Sequence, residues 1–264
     1  MTTFKQYLSE EIAIFNDKIR ITTQHDRAAS MSNSISTYFK KVPLETSIPD
    51  CPAVVHSLLN YVSSEDSTNI LKSLKGKGPY DVDQKQLASL MANAKTASAG
   101  LIKKLKPDVI IYPKSSSPLV KLFVDQLSTL APNAKVLSDA FIKKALDAED
   151  VEPLINKNHP QWEKFAKSSP KAVHELEMSL KRQIKNGELE LKKLYKPHLK
   201  FIKNFIELKD AYTVLDTVLD KHVLVIDDIL SSGSTMNEMV RQLVDLEPSK
   251  ITGLTLFKVT TQPK

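Results

Sequence analysis

Between Val223 and Thr235 the chain reads VLVIDDILSSGST, and three kinds of group there could do chemistry together: the adjacent carboxylates Asp227 and Asp228, the hydroxyls of Ser231, Ser232, Ser234 and Thr235, and the small hinge Gly233. Adjacent carboxylates repel each other unless a cation or hydroxyl donors compensate them. A ribose offers two hydroxyl donors, and a Mg²⁺ complex adds a hard cation suited to oxygen ligands. The hydroxyl-rich loop leads into a helix predicted from Ser234 or Thr235, whose first backbone N–H groups lack intrahelical acceptors and can receive a phosphate. Ahead of the acids, Val223 to Ile226 reads as a buried strand, and open parallel sheets bind ligands at the carboxyl ends of such strands.

This order of groups resembles the phosphoribosyl pyrophosphate signature of the type I phosphoribosyltransferases: an apolar strand, two acids, three variable residues, a small hydroxyl residue, Gly, a variable residue and Thr. The resemblance implies that Asp227 and Asp228 contact the ribose hydroxyls, while Ser231, Ser232, Gly233, Ser234 and Thr235 enclose the 5′-phosphate. Ser232 stands where threonine is commonest. It implies a parallel sheet flanked by helices, Mg²⁺ carried by the substrate with Asp227 and Asp228 as its candidate protein ligands, and displacement of pyrophosphate from phosphoribosyl pyrophosphate by a base or other acceptor. No residue is identified as a general base. Lys203, Asn204 and Phe205 resemble the basic-Asn-aromatic stretch of the competence-associated branch, whose arginine-rich segment and zinc cysteines are absent. Three other readings stand beside the enzyme: a non-catalytic phosphoribosyl pyrophosphate or nucleotide-binding regulator, a structural protein retaining the scaffold, and an acidic loop whose role is metal binding or helix capping. A Walker loop and a dinucleotide fingerprint are excluded, because neither GxxxxGK[ST] nor GxGxxG occurs.

The resemblance also calls for a pyrophosphate loop after an earlier strand. YPKSSS (112 to 117) follows the apolar run 109 to 111; there Lys114 could neutralise phosphate charge and the N–H groups of Ser115 and Ser116 could form an anion nest. A plain surface loop with a Ser-Pro helix start is the alternative. The family's flexible loop usually lies between the two anion sites, so 138 to 170 or 192 to 204 is expected to hold it, with Lys143, Lys144, Lys200 and Lys203 as candidate ligands against a reading as ordinary solvated lysines.

The elements that must position these groups follow from periodicity. Leu87, Leu90, Met91, Ala94, Ala97, Leu101 and Leu105 form one helical face that Pro107 stops. A strand over 109 to 111 comes next, then a helix capped by Ser117 with Pro118 in its first turn. Strands are expected over 134 to 142, 222 to 229 and 251 to 259, and partly over 201 to 210; 54 to 62 fits helix or strand. Helix 235 to 246 has capping-box spacing between Thr235 and Glu238. Phe4, Leu8, Ile12, Phe15 and Ile19 predict a first helix, making 1 to 80 a mainly helical N-terminal region or hood. The α/β core then spans 81 to 264, with a helical insertion at about 145 to 200 that includes a hairpin of helices 171 to 185 and 188 to 196.

The 264 residues are 41% hydrophobic and 26% charged, as in a globular chain of one large core with appendages. The net charge of +6 suits an anionic ligand. Residues 181 to 204 hold eight Lys or Arg and two Glu, so basic helices there could bind nucleic acid, against the alternative of a solvated face; Trp162 reads as a packing residue. Cys51 is the only cysteine, which excludes an intrachain disulfide and a cysteine zinc cluster. With no signal-peptide pattern and no apolar run of about 18 residues, a cytoplasmic protein without a membrane partner is expected. A homo-oligomer is compatible with the family.

Overall fold

Val223, Leu224, Val225 and Ile226 are all fully buried, alternate residues joining the hydrophobic clusters on opposite faces of one mixed sheet. A strand covered by helices on both sides needs such an unbroken apolar run. The computed structural model describes residues 9–15, 18–23, 36–40, 44–47, 53–62, 65–115 and 117–260.

Five strands come first: β1 (Ser9–Phe15), β2 (Lys18–Thr23), β3 (Ser36–Lys40), β4 (Leu44–Ser47) and β5 (Val54–Val62). Helix α1 (Glu65–Leu74), the short β6 (Asp81–Val82), α2 (Gln84–Leu105), β7 (Val109–Pro113), α3 (Pro118–Ser128) and β8 (Lys135–Lys143) follow. Next are α4 (Trp162–Ser168), α5 (Pro170–Gln183), a minimal hairpin of β9 (Ile184–Lys185) and β10 (Glu188–Leu189), and β11 (Ile206–Leu208). The chain continues through α6 (Ala211–Val218), β12 (His222–Leu230), α7 (Ser234–Val244) and β13 (Lys250–Thr260). The sheet order is β11-β8-β7-β12-β13-β5-β3-β1-β2-β6, with β4 also on β5. Its centre, from β8 to β5, is parallel throughout.

Several elements form as their sequence predicts. Asp83 caps α2 by accepting from the Lys85 N–H, and the helix stops where Lys106 turns left-handed ahead of Pro107. Ser117 accepts from the Leu119 N–H at 3.3 Å, with Pro118 opening α3. Helices α1, α2 and α3 supply the cluster on one face of the sheet, whereas α5, α6 and α7 supply the other.

The N-terminal expectation is overturned. Instead of a helix through Phe15 and Ile19, β1 and β2 pair antiparallel, with Ile12 opposite Ile21 and Ile14 opposite Ile19. Cross-strand apolar pairs of this kind stabilise a hairpin. Ile12, Phe15 and Ile19 fit a helical period, whereas the spacing of Ile12 from Ile14 and of Ile19 from Ile21 fits a two-residue one, so the sequence allows both. Apart from α1, the regular structure described before residue 80 is strand, and β5 lies beside β13 in the central sheet. The inserted helical hairpin is also corrected. Helix α5 forms, but 188 to 196 holds β10 and a three-residue 3₁₀ turn, because Asn186 and Gly187, both at positive φ, fold the chain back as a tight β-turn.

Candidate functional site

Strands β7 and β12 are parallel neighbours, paired from Val223↔Val109 to Val225↔Ile111. From β7 the chain leaves through α3 on one face and returns as β8; from β12 it leaves through α7 on the opposite face and returns as β13. The two loops therefore diverge and open a crevice at the carboxyl ends of the strands, where open α/β sheets bind ligands. A cleft of about 990 Å³ opens there. Lys114 and Ser115 line it from the loop after β7, Asp227 and Asp228 from β12, and Ser231 and Thr235 from the loop after β12.

The two acids are not equivalent. Asp228 lies toward the face of Ile226, which α1 covers. Asp228 is buried, and its Oδ2 accepts from Lys75 Nζ at 2.7 Å. Lys75 directly follows α1, which packs on that same face. Asp227 Oδ1 accepts from the Asp228 N–H at 2.8 Å. Burial, reinforced by the charge of Asp228, pushes the Asp227 carboxyl up from 3.8 to about 7, against the smaller opposing effects of that N–H and of Lys75.

Beyond the acids, Gly233 takes φ 79°, a left-handed conformation that side chains other than glycine adopt only with strain, and so turns the chain into α7. The Ser232 and Ser234 hydroxyls are 2.9 Å apart, and Ser234 also donates to the Leu199 carbonyl at 3.4 Å. Residues Ser231 to Thr235 wall a second hollow of about 200 Å³, which shares Ser231 and Thr235 with the larger cleft. No capping box forms. Gly233 occupies the N-cap, and Glu238 instead accepts from the Asn204 N–H at 2.8 Å and pairs with Arg241 at 2.7 Å. Asn204, left-handed at φ 57°, also accepts from Arg241 and donates to the Pro153 carbonyl. The Lys203-Asn204-Phe205 stretch thus braces the insertion against α7.

In the loop after β7, the Lys114 N–H donates to the Phe141 carbonyl at 2.8 Å and Ser115 Oγ accepts from the Ser117 N–H at 3.0 Å. Ser116 lies outside the described residues. Of the four lysines expected as flexible-loop ligands, the structure brings only Lys143 to the cleft, where it pairs with Glu188. Lys144, Lys200 and Lys203 do not line it. The Lys200 amine pairs with Gln161 and sits over the Phe201 ring, while the Lys144 and Lys203 N–H groups hold the Phe205 and Leu154 carbonyls. Lys75, Glu188 and Glu190 line the cleft without having been singled out in the sequence. Asn186-Gly187 before Glu188 is the one sequence signal that marks a turn there; Lys75 has none, since a lysine ending a helix is ordinary.

The basic stretch 181 to 204 is no pair of helices but the end of α5, a minimal hairpin and 3₁₀ turns. Trp162 packs against Phe165 and Phe201, with centroids 5.6 and 5.4 Å away. No described helix is long and apolar enough to cross a membrane.

Residues 178–264 match the family model of the phosphoribosyl transferase domain, a span that holds Asp227, Asp228 and Ser231 to Thr235 but not the loop at 112 to 117. No curated protein matches the chain. Among solved structures, a purine phosphoribosyltransferase from Pyrococcus horikoshii Ot3 is similar at 13% identity and a TM-score of 0.34, the alignment covering 67% of this chain and 90% of that one. From α5 through β13 the chain therefore carries a segment similar to the phosphoribosyl transferase domain, within an α/β fold whose central sheet is flanked by helices.

Proposed function

We propose that the chain is a phosphoribosyltransferase whose donor is Mg²⁺-complexed phosphoribosyl pyrophosphate. The observation that carries this reading is the convergence of the loops after β7 and β12 with Asp227 and Asp228 on one cleft, at the point where neighbouring parallel strands send their chains to opposite faces. The family match over the second of these loops supports it.

On this reading Ser231, Ser232, Gly233, Ser234 and Thr235 hold the 5′-phosphate, with the N-terminal end of α7 directed at it. Asp227 and Asp228 accept from the ribose hydroxyls and favour the positive charge that develops on the sugar as its C1–O bond to pyrophosphate breaks. Pyrophosphate leaves with the bonding pair; an acceptor nitrogen supplies the pair for the new C1–N bond and loses its proton. Lys114 and Ser115 meet the pyrophosphate end. Binding the phosphate remote from C1 aligns the reacting atoms.

No group of three or more metal-ligating side chains occurs among the described residues. The adjacent carboxylates fit a Mg²⁺ that arrives on the pyrophosphate, since this ion is commonly held by one or two carboxylates plus substrate phosphates. Held there by Asp227 and Asp228 together with the substrate phosphates, it would supply charge neutralisation of the leaving group.

Calorimetric titration with phosphoribosyl pyrophosphate, with and without Mg²⁺, tests the reading. Mg²⁺-dependent binding that is lost in the Asp227→Asn, Asp228→Asn double variant, followed by pyrophosphate release with an acceptor, is expected. Binding without release across an acceptor panel would favour the regulator, and no binding at millimolar ligand by the folded protein would end the substrate assignment.

A further inference from the structure

Lys75 stands apart from the sequence-derived lysines because it meets the acid pair itself. Its ammonium lies 2.7 Å from Asp228 Oδ2, and its side chain keeps 28% of its surface exposed where that of Asp228 keeps 8%. The lysine is thus the cleft-facing end of the pair, and it lines the same cleft as Lys114, Lys143, Asp227 and Glu188.

The mount of Lys75 is built to hold it there. At the end of α1 the Gly76 N–H donates to the Ser73 carbonyl and the Lys77 N–H to the Lys72 carbonyl, both at 2.8 Å. With Gly76 at φ 71°, this is the helix-ending arrangement that satisfies the last free carbonyls. Gly78 comes back against the helix so closely that a Cβ there would lie 2.0 Å from Ser73 Oγ. Ser73 Oγ in turn accepts from the Tyr80 N–H. The base of Lys75 is therefore fixed while its amine reaches into the cleft.

Charge gives this placement its consequence. Among the described residues, the cleft is lined by the carboxylates of Glu188, Glu190, Asp227 and Asp228 and by the lysines Lys75, Lys114 and Lys143. Lys143 is already paired with Glu188. A ligand with several negative charges is repelled by these acids where no cation stands between, and charges in a partly desolvated site act strongly at this range. Removing Lys75 leaves the acid pair facing the anion directly.

We infer that Lys75 is a substrate-binding residue supplied from the end of α1, which shields the anionic ligand from Asp228 and contacts its pyrophosphate end. This deepens the phosphoribosyl pyrophosphate reading and rests on it for the identity of the ligand. Until the ligand arrives, Asp228 holds the ammonium in place; a pyrophosphate oxygen then shares it.

The test compares the full-length protein with Lys75→Met, Lys75→Gln and Lys75→Arg by calorimetric titration with Mg²⁺-phosphoribosyl pyrophosphate, Mg²⁺-pyrophosphate and ribose 5-phosphate. Lys75→Met is expected to weaken both pyrophosphate-bearing ligands by about tenfold or more, the scale of one lost charged hydrogen bond. Ribose 5-phosphate, which lacks the pyrophosphate end and meets Lys75 only through Asp228, should weaken several-fold less than either, and Lys75→Arg should restore most of the loss. If Lys75→Met does not fold by circular dichroism, Lys75→Gln replaces it, because its amide can still donate to Asp228 without the charge. Unchanged pyrophosphate binding, or equal weakening of all three ligands, overturns the role of Lys75 while leaving the donor assignment standing. A wild-type protein that binds pyrophosphate in a Lys75-dependent way but not phosphoribosyl pyrophosphate sinks the donor assignment alone. A wild type that binds none of the ligands sinks both.

Discussion

Replacing Asp227 by Asn should remove a pH dependence from ligand binding. With its carboxyl pushed to about 7, Asp227 in the free protein is mostly neutral at pH 6 and mostly ionised at pH 8. If the ribose hydroxyls require the carboxylate, its ionised fraction rises about tenfold between those pH values, and the association constant with it. The phosphates of the ligand titrate near the same range, with a second ionisation near 6, so the wild-type slope alone decides nothing. The comparison with Asp227→Asn does, because the variant keeps the ligand's titration and loses the protein's. Calorimetry at pH 6, 7 and 8 in buffers of different ionisation enthalpy gives both affinity and protons released. At pH 7 the wild type should release about half a proton more than the variant. The same group sets a stability slope of defined sign. Its folded value lies above the 3.8 of an ordinary aspartate, so the folded protein holds an extra proton between about pH 4 and 7. Stability then falls as pH rises through that window and levels above it, by at most about 4 kcal/mol. Asp227→Asn should lack this fall in urea unfolding. Equal pH slopes in the two proteins, for binding and for stability, would refute the reasoning.

Gly233→Ala forces a side chain into the left-handed turn at φ 79° and should cost about 1 to 2 kcal/mol in thermal unfolding while weakening ribose 5-phosphate binding. Lys143→Met removes an exposed ion pair with Glu188, so stability in urea should change by less than about 1 kcal/mol. Phosphoribosyl pyrophosphate affinity, measured alongside, should fall several-fold, by about 1 kcal/mol. In the same titration Lys144→Met, Lys200→Met and Lys203→Met should leave affinity within about twofold, since none of the three lines the cleft. Arg241→Met leaves the buried Glu238 without its cation and should destabilise the protein by about 3 kcal/mol, read as a lower midpoint of chemical unfolding.

The cleft-facing half of the fold is legible because local rules and tertiary context agree there. Val109 to Ile111 and Val223 to Ile226 are too apolar to face water, and Ser117-Pro118 and Gly233 are local devices that act as their chemistry dictates. Where two periods fit one stretch, a helical one through Ile12, Phe15 and Ile19 and a two-residue one through Ile12 and Ile14 or Ile19 and Ile21, only the strand pairing decides, and its partners lie on other segments. Glu238 misleads for a related reason. Its spacing from Thr235 matches a capping box, but Arg241 and the Asn204 N–H offer its carboxylate stronger partners than a helix terminus does. Lys143 was recoverable from charge and position, whereas Lys144 beside it, identical in sequence terms, does not line the cleft. Lys143 is the last residue of β8, whereas Lys144 lies beyond the strand, its N–H held by the Phe205 carbonyl.

The acid pair draws on both halves of the chain. Asp228 makes the direct ion pair with Lys75, and Asp227 beside it is acted on by the same cation. Both acids lie within the segment that matches the family model. Asp228 turns toward the face built by α1, α2 and α3, where Lys75 meets it from outside that segment. A buried carboxylate without its cation is strongly destabilising, so the residues before β7 bear on the chemistry of β12 as well as on its packing. The strand that carries the signature is thus completed electrostatically by a helix more than a hundred residues earlier in the chain.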